Sequence, residues 1–335
     1  MANLLTPLEC RGMRLMNRIV MPPMANNLAA ETGEVTDAMV AHYATRAKAS
    51  VGLVIVEHSF VLPGGRAHPK QPAVDRDELV PGLRRLAQAI RQAGATVAVQ
   101  ITHAGSKTTA ETIGTTPAGA SPVPHPKLES GEIPREMTRE EIKEIVAAFA
   151  AAAVRVKEAG FEAVEIHGAH GYLLNQFYSP LTNYRTDDYG GSREKRLKLP
   201  LAVVASVREA VGTYPILYRL GADDLMPSGL NVSDAVYAAP RLADAGVDML
   251  DISGGLGGYR PANAEKGYFV NLSAAVKAAV RIPVIVTGGI SEAQYANRII
   301  RENKADLVGI GRALLADPYW ARKAATELEW ERPQK

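Results

Sequence analysis

Two histidines and a tyrosine stand close together in the middle of the chain, in a segment otherwise made of small residues. His167, His170 and Tyr172 are separated by glycine and alanine, so all three side chains can face one pocket if the segment turns helical after His167. Two imidazole N–H groups can hold and polarise a substrate oxygen. A phenol, whose ordinary pKa is about 10, suits the transfer of a proton to a strongly basic carbanion or enolate. We therefore predict that these three residues are catalytic.

The same two histidines could instead bind a metal ion, and this defines an alternative function. Zinc requires a third protein ligand, which His103, Asp223 or Asp251 could supply. A metal-dependent barrel hydrolase or lyase that uses His167 and His170 therefore stays open. The residues after the first predicted strand contain neither a histidine nor a carboxylate, and our prediction is a site without a metal.

Two glycine-containing segments near the end of the chain predict an anion-binding site. Gly288 and Gly289 follow one apolar segment, and Gly311 with Arg312 follows the next. Glycine allows backbone N–H groups to approach an anion closely, and arginine adds a fork of donors. In an α/β barrel, phosphate commonly binds at the loops after strands seven and eight. We therefore expect the ligand to carry a phosphate.

Two polar side chains fall within segments that have the character of buried strands. Arg219 cannot be buried alone without a large cost, so it needs an anionic partner, Asp223 or Asp251, or an electron-rich ligand. We favour the ligand. Gln100 stands among valine and alanine residues, and its amide suits the edge of a heterocycle.

Eight short apolar segments alternate with helical patterns and could position these residues. The clearest helical pattern covers residues 138–159, with a capping box at Thr138 and Glu141 and a stop at Gly160. Pro200 and Pro240 fall in later helical patterns, where we expect a kink or a shifted start. Because no linker divides the eight pairs, we predict an α/β fold with one (β/α)8 TIM barrel domain over residues 1–335. The predicted strands are 18–21, 51–56, 96–102, 162–166, 216–220, 249–253, 284–287 and 307–310.

A long segment rich in threonine, proline, glycine and serine, residues 106–135, follows the third predicted strand. In a barrel this position lies at the C-terminal face, where active sites are built. An insertion of this length in a compact domain is usually functional. The extended loop is therefore a candidate lid over the pocket, and a surface loop without function is the alternative.

Composition narrows the class of partner. Of the 335 residues, 47% are hydrophobic and 22% are charged, as in soluble globular proteins rather than disordered ones. Thirty-eight basic and 36 acidic side chains leave a net charge of +2, which argues against a nucleic-acid partner and for a small-molecule substrate. No stretch reaches the roughly 18 apolar residues of a membrane span and no signal peptide is evident, so we expect no membrane association and a cytoplasmic location.

The residues around the histidines resemble the old yellow enzyme family. The resemblance rests on HGAHGYLLNQF at 167–177, on Ser179-Pro180, Asn183, Arg185 and 188–192, and on further positions along nearly the whole chain: NRIVM at 17–21, His42-Tyr43, Gln100, His103-Ala104-Gly105, Arg219, Gly288-Gly289 and Gly311-Arg312. It implies a (β/α)8 barrel that holds FMN non-covalently and reduces activated alkenes, as an ene-reductase, with NADH or NADPH. Family habit also implies a homo-oligomer.

Transferred to this sequence, the resemblance assigns roles to individual residues. FMN phosphate would lie on Gly288, Gly289, Gly311 and Arg312, where the residues alone predict an anion. Gln100 would hydrogen-bond the flavin pyrimidine, and Arg219 would lie near N1 and O2. The remaining cofactor contacts would come from Pro23, Met24, Ala25, His58, Ser253 and Gly254. His167 and His170 would grip the carbonyl or nitro oxygen of the substrate, Asn27 would contact the substrate, and Tyr172 would protonate the α-carbon after hydride transfer from flavin N5.

This sequence departs from the family pattern at two places, and two further features limit the comparison. Ala25 stands where many members place a Thr or Cys beside the flavin, which affects the redox potential. Asn26 and Asn27 replace an aromatic residue, so substrate preference should shift.

The motif is also similar to the barrel half of larger iron–sulfur flavoenzymes, but Cys10 is the sole cysteine and the sequence ends at Lys335, so we expect direct reduction by a nicotinamide. We also consider that Arg332 reaches a neighbouring subunit's pocket.

Overall fold

A closed barrel of parallel strands occupies the centre of the computed structural model, which describes residues 2–330. In this range the strands are β1 Leu8–Cys10, β2 Met13–Leu15, β3 Ile19–Met21, β4 Leu53–Phe60, β5 Thr96–Thr102, β6 Ala118–Gly119, β7 Arg135–Glu136, β8 Ala163–Gly168, β9 Ile216–Gly221, β10 Met249–Ser253, β11 Val284–Val286 and β12 Leu307–Gly309. The barrel order is β3-β4-β5-β8-β9-β10-β11-β12, with β12 pairing back to β3. The predicted α/β barrel and its eight strands are confirmed.

The helices pack around the outside of the barrel. Within the described residues they are α1 Asp37–Ala47, α2 Val80–Gln92, α3 Ala110–Ile113, α4 Arg139–Glu158, α5 Leu173–Tyr178, α6 Arg193–Val211, α7 Val232–Ala245, α8 Val270–Ala279, α9 Ala293–Arg301, α10 Arg312–Ala316 and α11 Trp320–Trp330. The capping box of α4 and the left-handed Gly160 after it are confirmed. Pro200 and Pro240 lie inside α6 and α7, so neither marks a helix start. Across residues 2–330, no helix combines the length and the apolar character needed to cross a bilayer.

The barrel interior changes from apolar to polar with height. At its lower level all eight strands contribute apolar side chains, and Met13 and Leu15 of β2 join the same cluster: Val20, Leu53, Ile55, Ala98, Ala163, Leu217, Met249, Ile285 and Leu307. Side chains alternate between the two faces of a strand, so the residues two positions further on also point inward. Within four strands these are polar, namely Gln100, Glu165, Arg219 and Asp251, and none is more than 4% exposed. Thr287, directly after β11, continues the same series. A polar layer therefore lies directly above an apolar plug.

The strand β4 continues beyond its predicted end because it contains a β-bulge. Its pairing with β5 shifts between Val56 and Ser59. A bulge inserts an extra residue and reverses which face the following side chains occupy. Ile55 therefore points into the barrel, whereas Glu57 contacts Tyr43 of α1 outside it. As a result, His58 rather than Glu57 points to the inside of the barrel.

Candidate active site

A cavity of about 640 Å³ opens at the carboxyl ends of the barrel strands, within the size range of small-molecule sites. It is lined by residues from all eight strands or the loops that follow them, including Lys107 of the long segment after β5. The lining residues are Pro22, Pro23, Met24, Ala25, His58, Gln100, Lys107, His167, His170, Tyr172, Arg219, Ser253, Tyr259, Tyr268, Thr287, Gly288, Gly289, Ile290, Ser291, Gly309, Gly311, Arg312, Ala313 and Leu315.

The two histidines and the tyrosine converge on one wall of this cavity. The ring centroids of His167 and His170 lie 5.1 Å apart, and those of His167 and Tyr172 lie 4.8 Å apart. The predicted helical turn after His167 is wrong, because β8 continues to Gly168 and α5 begins at Leu173. Positive φ angles of 57° at His170 and 72° at Gly171 reverse the chain instead. This turn brings the three side chains together.

Hydrogen bonds define which nitrogen of each histidine carries the proton. His167 Nδ1 accepts from the backbone N–H of Ala169 at 3.2 Å, which leaves the proton on Nε2. His170 Nε2 lies 2.7 Å from Ser253 Oγ, which itself accepts from Arg219 Nη2 at 3.5 Å. The Ser253 hydroxyl is therefore free to donate to His170, whose proton is then on Nδ1. Burial and the nearby positive charges lower the pKa of both histidines well below the usual range, so both are neutral donors.

Lys107 is a cavity residue that the sequence did not single out. Its Nζ donates to the carbonyl oxygen of His170 at 2.6 Å and lies 4.7 Å from the ring centroid of Tyr172. Burial, followed by the charge of Lys127, lowers the pKa of Lys107 to about 8. Burial also raises the pKa of Tyr172, so the phenol is protonated at neutral pH. A cation is thereby held against the ring of the predicted proton donor.

The floor of the cavity is built around Arg219. Its Nη1 donates to the carbonyl of Pro23 at 3.4 Å, and its Nε lies 3.2 Å from Asp251 Oδ2. Gln100, next to it on the floor, donates through Nε2 to Glu165 Oε2 at 2.7 Å. Arg219 thus has the carboxylate partner Asp251 that the sequence left open, and its guanidinium also lines the cavity.

The opposite end of the cavity has a backbone that tolerates no side chains. Gly288 and Gly289 have φ angles of 107° and 67°. A Cβ at either position would lie 2.6 or 3.0 Å from the ring of Tyr268, closer than side-chain atoms ordinarily approach. Arg312 interacts with the Tyr268 side chain and opposes the rise in its pKa caused by burial. Bare backbone and a guanidinium therefore meet at the predicted anion site.

Most of the predicted site residues reach the cavity, and two do not. Asn27 is exposed, with a positive φ of 57°, and is not among the cavity-lining residues. Gly254 is not among them either, and its carbonyl accepts from the backbone N–H of His170 at 3.0 Å. Arg332 lies outside the described residues.

Several lining residues were missed because they come from loops or from glycine-rich strand ends. Thr287 follows the apolar Ile285 by two positions, so strand alternation could have predicted it. Tyr259 and Tyr268 lie in the loop after β10, where no periodic pattern operates. Tyr259, 67% exposed, stands at the mouth with its ring 6.1 Å from that of His170.

The long segment 106–135 contributes one residue, Lys107, to the cavity lining. The rest contains α3 and β6 and packs on the loop after α5. Arg185 of that loop donates to the carbonyls of Ala120 and Met137, at 3.3 and 2.7 Å. His125 packs on Gly171, where a Cβ would lie 2.1 Å from its Nε2. The segment therefore supports the turn that carries the two histidines and Tyr172.

The structure also bears on the metal-dependent alternative. Considering residues 2–330, no three His, Cys, Asp or Glu side chains come together in a way that could hold a metal ion. His170 Nε2 is engaged by Ser253, and His167 Nδ1 by a backbone N–H. The choice between the alternatives depends on the comparisons with known proteins.

Comparison by sequence gives one consistent relationship. The family model described as "NADH:flavin oxidoreductase / NADH oxidase family" matches residues 3–331. The NADH oxidase of Thermoanaerobacter brockii is 44% identical over 320 residues, which are 92% of this chain and 48% of that protein. The chain thus spans about half the length of this curated relative.

Comparison of structures leads to the same group. 2-Naphthoyl-CoA reductase in complex with 2-naphthoyl-CoA superposes with a TM-score of 0.92 at 27% identity, over 97% of this chain and 52% of that chain. Morphinone reductase in complex with tetrahydroNAD superposes with a TM-score of 0.85 at 26% identity, over 98% and 91% of the two chains. The similarity therefore extends over the whole barrel.

Proposed function

Because the chain belongs to the NADH:flavin oxidoreductase / NADH oxidase family, which is the old yellow enzyme family, we propose that it is an FMN-dependent ene-reductase. Its substrates would be α,β-unsaturated carbonyl or nitro compounds, reduced at the activated C=C bond with NADH or NADPH. Family membership favours this function over the metal-dependent hydrolase or lyase. A complex of the related morphinone reductase contains tetrahydroNAD, which supports a nicotinamide as the electron donor here.

The cavity fits non-covalent FMN at both of its ends. The backbone around Gly288 and Gly289 leaves no room for a Cβ, and with Gly311 and Arg312 it offers N–H groups and a guanidinium to a phosphate. At the floor, the Arg219 guanidinium lines the cavity, and its Nε forms an ion pair with Asp251 Oδ2 at 3.2 Å. A buried guanidinium that faces a cavity suits an electron-rich heterocycle, and Gln100 next to it suits the pyrimidine edge. Pro23, Met24, Ala25, His58 and Ser253 would complete the binding site.

The side chains on the cavity wall can carry out alkene reduction. Bound FMN would supply a hydride from N5 to the β-carbon of the substrate. His167 and His170, both neutral, would donate to the substrate oxygen, and these donors stabilise the negative charge that develops there in the transition state. Tyr172 would deliver a proton to the α-carbon, since its raised pKa keeps the phenol protonated at neutral pH. Lys107, 4.7 Å from the Tyr172 ring centroid, would stabilise the tyrosinate left behind.

One departure from the family pattern affects substrate choice. The Ala25 side chain can donate no hydrogen bond to a flavin, and Asn26, which follows it, donates its backbone N–H to Glu57 at 3.1 Å. Asn26 is therefore turned towards Glu57 and is not among the cavity-lining residues. We expect bulky substrates to be accepted on this side, and Tyr259 at the mouth would provide an aromatic surface for them.

The observation that carries this proposal is the convergence of His167, His170 and Tyr172 above a cavity whose opposite end is a bare glycine backbone. The test is an absorption spectrum of the protein loaded with FMN, followed under anaerobic conditions by NADH, NADPH and then 2-cyclohexenone. We expect the flavin bands to bleach with a nicotinamide and to return with the enone. A protein that binds no FMN, or a bleached spectrum that the enone does not restore, would refute the proposal.

A further inference from the structure

Two carboxyl groups are enclosed in the polar layer beneath the cavity floor. Glu165 of β8 and Asp251 of β10 are both 0% exposed. On β9, Asp251 pairs with Arg219, and Glu165 pairs with Leu217, two positions before Arg219. Glu165 Oε1 and Asp251 Oδ1 lack a hydrogen-bond partner in the described part of the chain, and Asp251 Oδ2 has only the ion pair with Arg219 Nε at 3.2 Å, which lacks hydrogen-bond geometry. Buried polar atoms are nearly always paired, so this cluster calls for an explanation that packing does not provide.

The cluster contains more negative than positive groups. Two carboxylates and one guanidinium leave an excess negative charge if both acids are ionised, and an uncompensated buried charge is costly. Burial, and then the Asp251 carboxylate, raise the pKa of Glu165 well above its usual range. Burial raises the pKa of Asp251 to about 6, although Arg219 opposes this rise. Burial therefore favours the neutral form of Glu165, while the Asp251 carboxylate faces Arg219.

The other neighbours do not change this balance. The β11 residue paired with Asp251 is Ile285, and the β5 residue paired with Glu165 is Gln100. His167 and His170, on the cavity side, are neutral. Arg219 is thus the charged group that both acids face, and its charge is shared between Asp251 below and the cavity above.

We propose that Glu165 and Asp251 are positioning residues that act through Arg219 by taking up a proton when negative charge arrives at the cavity floor. The inference rests on the FMN-binding part of the proposed function. Transfer of a hydride from NADH to bound FMN, with release of NAD⁺, would add negative charge at the cavity floor. This charge competes with the Asp251 carboxylate for Arg219, and one proton from solvent then adds to the carboxylate pair. The full charge of Arg219 becomes available to the reduced cofactor.

The first test needs no cofactor. Infrared spectra of the full chain at pH 7 should show the C=O stretch of a buried protonated carboxyl group that is lost in Glu165→Gln. A second band should grow as the pH falls through about 6 and be lost in Asp251→Asn. The proposal is overturned if both bands survive in their respective variants, and either variant alone suffices if the other does not fold.

The second test measures the midpoint potential of the FMN-loaded protein between pH 5 and pH 9. One additional proton per two electrons changes the equilibrium constant tenfold per pH unit, which is about 30 mV per unit. We expect this additional slope above about pH 6 in the unmodified protein and its loss in Asp251→Asn. Equal slopes in the two proteins would rule out the proton uptake.

Glu57→Gln is the matched control. Glu57 is a buried acid of β4, and burial raises its pKa to about 7, but its carboxylate contacts Tyr43 and Asn26 rather than Arg219. The control should keep the additional slope, and a control that loses it would contradict the assignment to Asp251. If the protein shows these slopes of midpoint potential against pH but does not reduce 2-cyclohexenone, the ene-reductase function is refuted and the proton uptake stands.

Discussion

Replacing Tyr172 by phenylalanine should separate the two halves of the proposed reaction. Within residues 2–330 the Tyr172 hydroxyl forms no hydrogen bond, and its contacts are ring contacts with His167, His58 and Lys107. Phenylalanine keeps the ring, so the free energy of unfolding should change by less than about 0.5 kcal/mol. The loss of a positioned general acid should slow alkene reduction by about 10²- to 10⁴-fold.

The assay is anaerobic stopped-flow absorption of the flavin in two separate steps. In Tyr172→Phe the reduction of FMN by NADH or NADPH should stay within about twofold of the unmodified protein, because no proton transfer to substrate occurs in that step. Reoxidation by 2-cyclohexenone should be slowed by the full factor. Tyr184→Phe, at an exposed tyrosine, is the control and should alter neither step. An equal loss in both steps, or full activity in the second, would refute the assignment of Tyr172 as proton donor.

Three further predictions follow from the geometry of the site. In the unmodified protein we expect the rate of reoxidation by the enone to decline as the Lys107 ammonium deprotonates near pH 8. Lys107→Met should slow this reoxidation at pH 7 and abolish the decline. A decline that persists in the variant would show that Lys107 is not its source. Gly288→Ala should raise the Kd for FMN, measured by fluorescence titration, by about tenfold, because the added Cβ would lie 2.6 Å from the Tyr268 ring and must displace that ring or the backbone at the phosphate site. Gly160→Ala, equally left-handed but with open space around it, should lower stability without changing that Kd. Equal Kd values in the unmodified protein and both variants would show that the Gly288 backbone does not hold the phosphate. Burial lowers the pKa of His103 to about 4, so stability is full above the unfolded pKa of about 6.5 and falls as the pH falls below it. Between pH 7 and pH 5, the free energy of unfolding of His103→Gln, measured in urea, should therefore fall by about 2 kcal/mol less than that of the unmodified protein. Identical decreases would show that His103 does not contribute.

The positions of the strands could be predicted because each strand is encoded locally. Apolar runs bounded by glycine and polar residues gave β5 and β10 their exact bounds and placed the other barrel strands to within a few residues. Alternation along each strand then accounts for Gln100, Arg219 and Ser253 in the cavity wall. The hairpin β1–β2 was missed, since its three-residue strands are too short for a periodic signal.

The sequence by itself determined the fold, the family and the chemical types of the groups at the strand ends. These follow from local patterns: apolar runs, glycines where the backbone must be bare, and histidines and a tyrosine at fixed spacing. The tertiary structure decided what depends on contacts between distant segments. It placed Lys107 against Tyr172, turned His58 inward through a bulge in β4, directed Asn27 away from the cavity and enclosed Glu165 with Asp251 around Arg219. The physical reason is that burial and charge proximity, which set the pKa values of these groups, arise when the barrel closes and cannot be deduced from neighbours along the chain.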